Sequence, residues 1–168
     1  IPVIFNMWNE ILVNARDQII RLKDKPVSIQ VTKIKINYES ETGRWTIYND
    51  GESIPIEKHG QEKMYNAQLI FGELLTSSNY KEGEKKIVGG KNGYGAKITN
   101  IFSTEFNVET QDHKKKMIYQ QTFRNNMTVV EPPKITKSYK KPYTKISWIT
   151  DFKRFGLEKF PEQMLPLM

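Results

Sequence analysis

Glu10 and Asn14 are the first residues in the sequence whose types and spacing could do chemistry together. Apolar residues recur around them every three or four positions, which predicts an amphipathic helix. Residues i and i+4 of a helix point the same way. Glu10 could then accept a proton from an attacking water, while Asn14 offers an uncharged oxygen to Mg²⁺ held by phosphates. An ordinary solvent-facing helix surface has the same composition, so the pair alone does not decide between the two interpretations.

A glycine-rich stretch at residues 89–97 is the second candidate, with four glycines within seven positions. Glycine lets the backbone pass close to a ligand, and a turn that opens a helix aims unpaired N–H groups at an anion. We expect either a phosphate-binding loop or a mobile surface loop. The stretch fits neither common phosphate motif: Ala96 separates Gly95 from Lys97, unlike a P-loop, and the third glycine of a dinucleotide fingerprint is missing.

The turn at Asn49, Asp50 and Gly51 is the third candidate. An amide or carboxylate on a turn that leaves a strand can accept a hydrogen bond from the exocyclic amine of adenine. The same residues are common in turns without any ligand.

Composition limits the remaining possibilities. The chain has 168 residues, no cysteine and two histidines, which excludes disulfides and argues against a zinc site. No apolar run is long enough to span a bilayer. The chain begins inside an apolar run without an initiator Met, so we expect a piece of a longer protein. The net charge of +7 favours polyanionic partners, with lysines concentrated at residues 114–116 and 134–145. Solvated turns and strand edges explain these lysines equally well.

Periodicity predicts an α+β fold. We expect helices around residues 5–19, 62–75 and 96–102, and a strand at 27–36 with a bulge near 32–33. Further strands are expected at 44–48, 105–110, 117–123, 128–130 and 144–149, and the tail after residue 152 is unassigned. Helices concentrated in the first half, with hairpins throughout, favour a two-layer sandwich of a mostly antiparallel sheet with helices on one face.

Taken in order, four segments resemble the ATP-binding boxes of the GHKL (Bergerat-fold) ATPases, specifically those of eukaryotic-type type IIA DNA topoisomerases. The resemblance covers about residues 5–149. The matching segments are Glu10-Ile11-Leu12-Val13-Asn14-Ala15-Arg16-Asp17, Asn49-Asp50-Gly51 with Ile54-Pro55, Leu74-Leu75-Thr76-Ser77-Ser78-Asn79-Tyr80, and Gly89-Gly90 with Asn92-Gly93-Tyr94-Gly95-Ala96-Lys97.

The resemblance implies a role for each matching residue. Glu10 matches the general base that activates water, Asn14 the Mg²⁺ ligand, and Asn49 the adenine contact. Asp17 lies on the same helix face and is included in the expected nucleotide site. The remaining expected nucleotide contacts are a polar turn of Ser77, Ser78 and Asn79 and a triphosphate loop of Gly90, Lys91, Asn92, Gly93, Tyr94, Gly95, Ala96 and Lys97.

Three residues depart from the family pattern: Arg16, Gln18 and Ser53. Ser53 replaces the second glycine of the adenine box, which leaves the backbone conformation there open.

The expected function is therefore that of a GHKL ATPase domain covering residues 1–168, with ATP and Mg²⁺ as cofactors. In the full enzyme, ATP would close a homodimeric clamp around DNA, in the nucleus or in a viral factory, with no membrane involved. The family's transducer lysine and DNA-cleaving domains lie outside this sequence, so we expect the chain to bind nucleotide but hydrolyse it weakly. The alternatives are a GHKL chaperone, mismatch-repair protein or histidine kinase, or a basic module that is not an enzyme.

Overall fold

The computed structural model describes residues 2–59, 63–73 and 95–168. The described part of the chain contains three α-helices and seven β-strands, besides short 3-10 turns. The helices are α1 (Pro2–Leu22), α2 (Asn66–Gly72) and α3 (Gly95–Ile101). The strands are β1 (Ile34–Glu39), β2 (Arg44–Asp50), β3 (Ser103–Asp112), β4 (Met117–Arg124), β5 (Val129–Val130), β6 (Lys134–Lys137) and β7 (Tyr143–Thr150).

The strands form one sheet in the order β1-β2-β7-β3-β4-β5, and β6 also pairs with β4. Every pairing in the described part of the chain is antiparallel. β7 lies between β2 and β3, so the last strand of the sequence joins the first hairpin to the central one. Trp45, Trp148, Phe106 and Phe123 are consecutive partners across four strands. They form an aromatic row at the centre of the helix-facing side.

All three helices pack on that side. Buried residues of α1, α2 and α3 share one apolar cluster with the inward side chains of the strands. The apolar stripe of α1 consists of Ile4, Met7, Trp8, Ile11 and Ala15, all buried. The prediction of a two-layer α+β sandwich is confirmed.

The opposite face of the sheet is polar. Arg44 of β2 donates a hydrogen bond to Glu105 of β3 at 3.1 Å, and Glu109 accepts from Gln120 at 2.6 Å and from the Tyr143 hydroxyl at 2.9 Å. A row of charged, amide and hydroxyl groups thus replaces a second apolar layer. No helix in the described part of the chain is long and apolar enough to cross a membrane.

Two predicted elements differ in the structure. Residues 27–31 form a short 3-10 turn at Val27–Ile29 instead of a strand, because Thr32 and Lys33 donate their backbone N–H groups to the Asp50 carboxylate rather than to a neighbouring strand. The second helix begins only at Asn66, since Lys63 has a positive φ of 52°. A third difference is β6, a strand within the connection rich in lysine and proline that periodicity did not predict.

The tail after residue 152 completes the core. It contains 3-10 turns at Phe152–Phe155 and Glu162–Leu167. Phe160 is buried, with its ring centroid 5.0 Å from that of Tyr38 and 5.5 Å from that of Trp45. The tail therefore covers the β1–β2 end of the aromatic row.

Candidate functional site

A polar stripe on α1 is the axis of the candidate site. Glu10, Asn14 and Gln18 are four residues apart, so they follow one side of the helix over about 12 Å. Each end of the stripe contacts a different element. Asn14 lies in the middle, and its side chain forms no hydrogen bond with any residue that the structure describes, so its amide oxygen is available to a ligand.

Glu10 contacts the start of α3. A Cβ placed on Gly95 would overlap the Glu10 carboxylate, so only a residue without a side chain allows this approach. Thr99, one turn further along α3, donates its hydroxyl to the carbonyl of Met7 on α1 at 3.0 Å. Because this bond is buried, it fixes the two helices side by side and holds the Glu10 carboxylate at the end of the glycine-rich stretch.

Gln18 contacts the turn that follows β2. Its amide donates to the carbonyl of Glu52 at 2.6 Å. Gln18 is one of the residues that depart from the family pattern. In the structure its hydrogen bond holds the turn at residues 49–53 against α1.

Within this turn Asn49 and Asp50 have different roles. Asn49 is buried at 6% exposure and points to the helix-facing side of the sheet. The Asp50 carboxylate accepts from the backbone N–H groups of Thr32 at 2.7 Å and Lys33 at 2.8 Å. Burial raises the pKa of Asp50, but these hydrogen bonds and one from the Thr32 hydroxyl outweigh it, so the pKa is lower than usual. Asp50 therefore shapes the turn. The Asn49 amide nitrogen donates to the carbonyl of Asp50 at 3.0 Å, so the amide oxygen of Asn49 is left to meet a ligand.

The backbone at Ser53 is now defined. Gly51 has a φ of 95° and lies against Val31, so glycine is required there. Ser53 has no positive φ, and its buried hydroxyl donates to the carbonyl of Gln111 on β3. The serine fits the turn and anchors it to the central strand.

A polar row lies beneath the turn. Asn49 of β2, Thr144 of β7 and Thr110 of β3 are consecutive partners across the sheet, on the same face as the aromatic row. Thr110 is fully buried, and its hydroxyl has no partner in the described part of the chain. Sequence reasoning missed Thr110. Strand register is needed to bring it beside Asn49, 61 positions earlier in the numbering, and no local spacing indicates that neighbour.

Lys97 lies on α3 and is only 2% exposed. Burial lowers the pKa of its ammonium group, and the carboxylate of Glu73, just after α2, partly opposes that shift. Ala96 packs its side chain in the apolar core, and its expected contact with the triphosphate, through the backbone amide, stays a prediction.

Asp17, also on α1, accepts a hydrogen bond from the adjacent Arg16 at 3.3 Å. Among the described residues, no hydrogen bond joins Asp17 to the turn at 49–53. The other expected nucleotide contacts lie outside the described residues: Ser77, Ser78, Asn79, Gly90, Lys91, Asn92, Gly93 and Tyr94.

The described residues contain no group of three His, Cys, Asp or Glu side chains that could enclose a metal ion. This donor set fits Mg²⁺ bound mainly through phosphate and water oxygens, for which a single amide oxygen such as that of Asn14 is enough.

The comparisons with known proteins identify relatives of the whole chain. No family model matches the chain. DNA topoisomerase 2 of Candida glabrata is 48% identical over 170 residues, which cover 100% of this chain and 12% of that protein. The solved ATPase region of Saccharomyces cerevisiae topoisomerase II matches with a TM-score of 0.84 and 44% identity, over 98% of this chain and 42% of that one. The 43K ATPase domain of Thermus thermophilus gyrase B, 21% identical with a TM-score of 0.68 over 95% of this chain and 37% of that one, shares the fold.

The sheet order, the helices on one face and the matched structures define the fold of the GHKL ATPase domains. Within that class, the chain is homologous over its whole length to eukaryotic DNA topoisomerase 2, and 98% of it matches the solved ATPase region of the Saccharomyces cerevisiae protein. The resemblance noted in the sequence is thereby confirmed, for a chain that spans 12% of that relative's length.

Proposed function

We propose that this chain is the ATP-binding and ATP-hydrolysing gate domain of a type IIA DNA topoisomerase. The observation that carries the proposal is the contact between Glu10 and Gly95. It joins a carboxylate on α1 to the last glycine of the stretch at residues 89–97, and the sequence resemblance assigns these two segments to opposite halves of one ATP site.

Glu10 would act as the general base. Its carboxylate lies at the N-terminal end of α3. A water held between Glu10 and a bound γ-phosphate could pass its proton to the carboxylate as its oxygen bonds to the γ-phosphorus, while the bond from that phosphorus to the bridging oxygen breaks and ADP leaves. A bound Mg²⁺ ion would neutralise phosphate charge, with the amide oxygen of Asn14 as its protein ligand. Asn14 is four residues along the same stripe, so the ligand and the base face one bound triphosphate.

The base of the nucleotide would lie over the polar row beneath the turn. Asn49 would pair with the exocyclic amine of adenine, and the free hydroxyl of Thr110 would hydrogen-bond the ring directly or through a water. Ser53 and Gln18 would hold the turn in position by the hydrogen bonds already described.

The remaining contacts are proposed from the resemblance. Lys97 would supply positive charge to the phosphates, and Asp17 would lie at the margin of the nucleotide. The segments outside the described residues would complete the site with polar side chains for ribose and phosphate, from Ser77, Ser78 and Asn79, and with backbone amides for the triphosphate, from Gly90, Lys91, Asn92, Gly93 and Tyr94.

The parent enzyme would be a homodimer that works on DNA in the nucleus. Nucleotide binding would close a clamp around a duplex, and hydrolysis would reopen it. The activity, the substrate and the partner of the parent enzyme are all part of this proposal, because the chain spans only 12% of its matched relative. We also propose that residues 1–168 form one domain of a longer protein.

Two measurements test the proposal. The first is thermal unfolding of the chain with the ATP analogue AMPPNP and Mg²⁺, where a rise in Tm is expected because a ligand that binds the folded state stabilises it. The second is ATP turnover by the Glu10→Gln variant in the full-length enzyme, where hydrolysis should fall about 10²-fold or more while the AMPPNP shift is kept.

Glu41→Gln, which makes the same change on an exposed turn, is the matched control and should keep both properties. Normal turnover by Glu10→Gln would refute the assignment of the base. The absence of an AMPPNP shift in the unaltered chain would refute the nucleotide site.

A further inference from the structure

A basic cleft of about 360 Å³ lies at the end of the sheet, where the β3–β4 turn meets the residues that lead into β7 and the 3-10 turn at Val27–Ile29. Its ionisable lining residues are His113, Lys116, Lys140 and Lys141, and no Asp or Glu belongs to the described lining. A concave surface with several amines and no carboxylate favours an anionic ligand.

The lysines of this region divide into two groups. Lys114 is paired with Glu52 at 3.0 Å, and Lys115 is paired with Glu57 at 3.5 Å and donates to the carbonyl of Ile56 at 2.7 Å. These two amines hold the β3–β4 turn against the segment after β2. Lys116, Lys140 and Lys141 form no ion pair with any residue that the structure describes. Their charge is available to a ligand.

An exposed aromatic ring lies among the available lysines. Tyr139 is 77% exposed, and the Lys116 ammonium is 6.0 Å from its ring centroid. Solvent-exposed aromatic rings flanked by lysines are a common arrangement for nucleic-acid strands, because the amines contact phosphates and the ring stacks on a sugar or a base.

The backbone that carries these side chains is fixed. The carbonyl of Pro142 accepts from the N–H of Gly51 at 3.1 Å, and the carbonyl of Ser138 accepts from the buried amide of Gln111 at 2.9 Å. The three residues between these anchors, 139–141, therefore have a backbone held at both ends, which reduces the entropy lost when a ligand binds.

We propose that this cleft binds the phosphate backbone of DNA, with Lys116, Lys140 and Lys141 as the phosphate contacts and Tyr139 as the stacking surface. The choice of DNA as the polyanion rests on the proposed function, whereas the location rests on the charge and shape of the cleft. None of the residues that line the cleft is among the proposed nucleotide contacts.

The test is fluorescence anisotropy of a labelled 20-base-pair duplex, and of one of its strands alone, with the 168-residue chain between about 50 and 200 mM salt. The informative variant is Lys140→Gln/Lys141→Gln, whose altered residues are both exposed. The matched control is Lys153→Gln/Lys159→Gln, which removes the same charge from exposed positions in the tail.

The cleft variant should bind the duplex about tenfold more weakly, and the slope of log K against log salt should fall by about 2, because two phosphate contacts are lost. The control should change affinity by about twofold or less and keep the slope. Tyr139→Ala should weaken binding of the single strand more than that of the duplex, whose bases are already stacked.

Three results would overturn the inference. Equal weakening by both double variants would mean that net charge, rather than the cleft, attracts DNA. Competition between AMPPNP and DNA would place the cleft within the nucleotide site. No DNA binding at the lowest salt, with the AMPPNP shift intact, would remove the DNA site and leave the nucleotide proposal standing.

Discussion

The carboxylate of Glu10 on α1 occupies the space that a side chain at Gly95 would fill at the start of α3. The two residues are 85 positions apart, and their contact is possible only because one of them has no Cβ. The buried bond from Thr99 to the carbonyl of Met7 holds the helices at this separation. A glycine of the proposed phosphate loop thus has a second role, since it limits where the proposed general base can lie.

Gly95→Ala should therefore affect hydrolysis far more than stability. The new methyl group displaces the end of a flexible side chain, which costs about 1 kcal/mol for an altered rotamer, but it moves the proposed base. We expect AMPPNP binding to persist and ATP turnover of the full-length enzyme to fall about 10²-fold.

Gly156→Ala is a control with the opposite profile, because Gly156 has a φ of 70° and no neighbouring atom within 4 Å of an added Cβ. Turnover should be unchanged there, and stability should fall by about 1 kcal/mol. Full activity in Gly95→Ala would contradict the placement of the base.

Thr110→Val tests the polar row beneath the turn. The Thr110 hydroxyl is buried without a partner in the described chain, so replacing it with a methyl group of similar size should leave the free energy of unfolding unchanged or raise it by about 1 kcal/mol. If the hydroxyl contacts the base of the nucleotide, AMPPNP affinity should fall by about five- to tenfold, equivalent to about 1 kcal/mol. Isothermal titration and urea unfolding measure the two effects. Thr46→Val, on the opposite face of β2, should leave affinity unchanged, and a Thr110→Val variant with undiminished affinity would remove Thr110 from the site.

Glu109→Gln tests the polar face of the sheet. Burial raises the pKa of Glu109, but hydrogen bonds from Gln120, Lys145 and Tyr143 outweigh it, so the folded-state pKa lies below 4.5. An unfolded chain therefore binds this proton at a higher pH than the folded chain. The stabilisation is complete above about pH 4.5 and is lost as the pH falls through the folded-state pKa.

We expect Glu109→Gln to lower the free energy of unfolding by about 1–2 kcal/mol at pH 7 and by less at pH 3, measured by urea denaturation. Glu41→Gln, on an exposed turn, should follow the wild-type curve at both pH values. A Glu109→Gln curve that stays parallel to that of the wild type down to pH 3 would refute the assigned role.

The sequence predicted the fold where the hydrophobic pattern is local and strong. α1 and the β1–β2 hairpin follow directly from their periodicity, and Glu10 and Asn14 share a helix face as expected. Elements defined by distant partners could not be predicted. Residues 27–31 have a strand-like pattern, but the side chain of Asp50 takes the backbone N–H groups that a strand would need. Thr110 likewise could not be predicted as a site residue, because it lies in one row with Asn49 only through β7, which pairs with both β2 and β3.

Lys97→Met separates the contribution of Lys97 to binding from its contribution to stability. Burial holds the pKa of Lys97 below the ordinary 10.5, with partial opposition from Glu73. The unfolded chain therefore keeps this proton to a higher pH than the folded chain, and stability rises with pH between the two pKa values. Below the folded-state pKa the buried ammonium group opposes folding in full. At pH 7 the variant should consequently be as stable as the wild type or about 1 kcal/mol more stable, and the difference should shrink as the pH approaches 10.5.

If the ammonium group binds phosphate, AMPPNP affinity should fall by about 10- to 100-fold in the same variant, the loss expected for one charged hydrogen bond. Ile98→Met, at the adjacent exposed position, should change neither property. A loss of stability without a loss of affinity would make Lys97 a structural partner of Glu73 and exclude it from the nucleotide site. A loss of affinity without a loss of stability is the result that the proposal requires, because a bound phosphate would then compensate for the cost of burying the ammonium group.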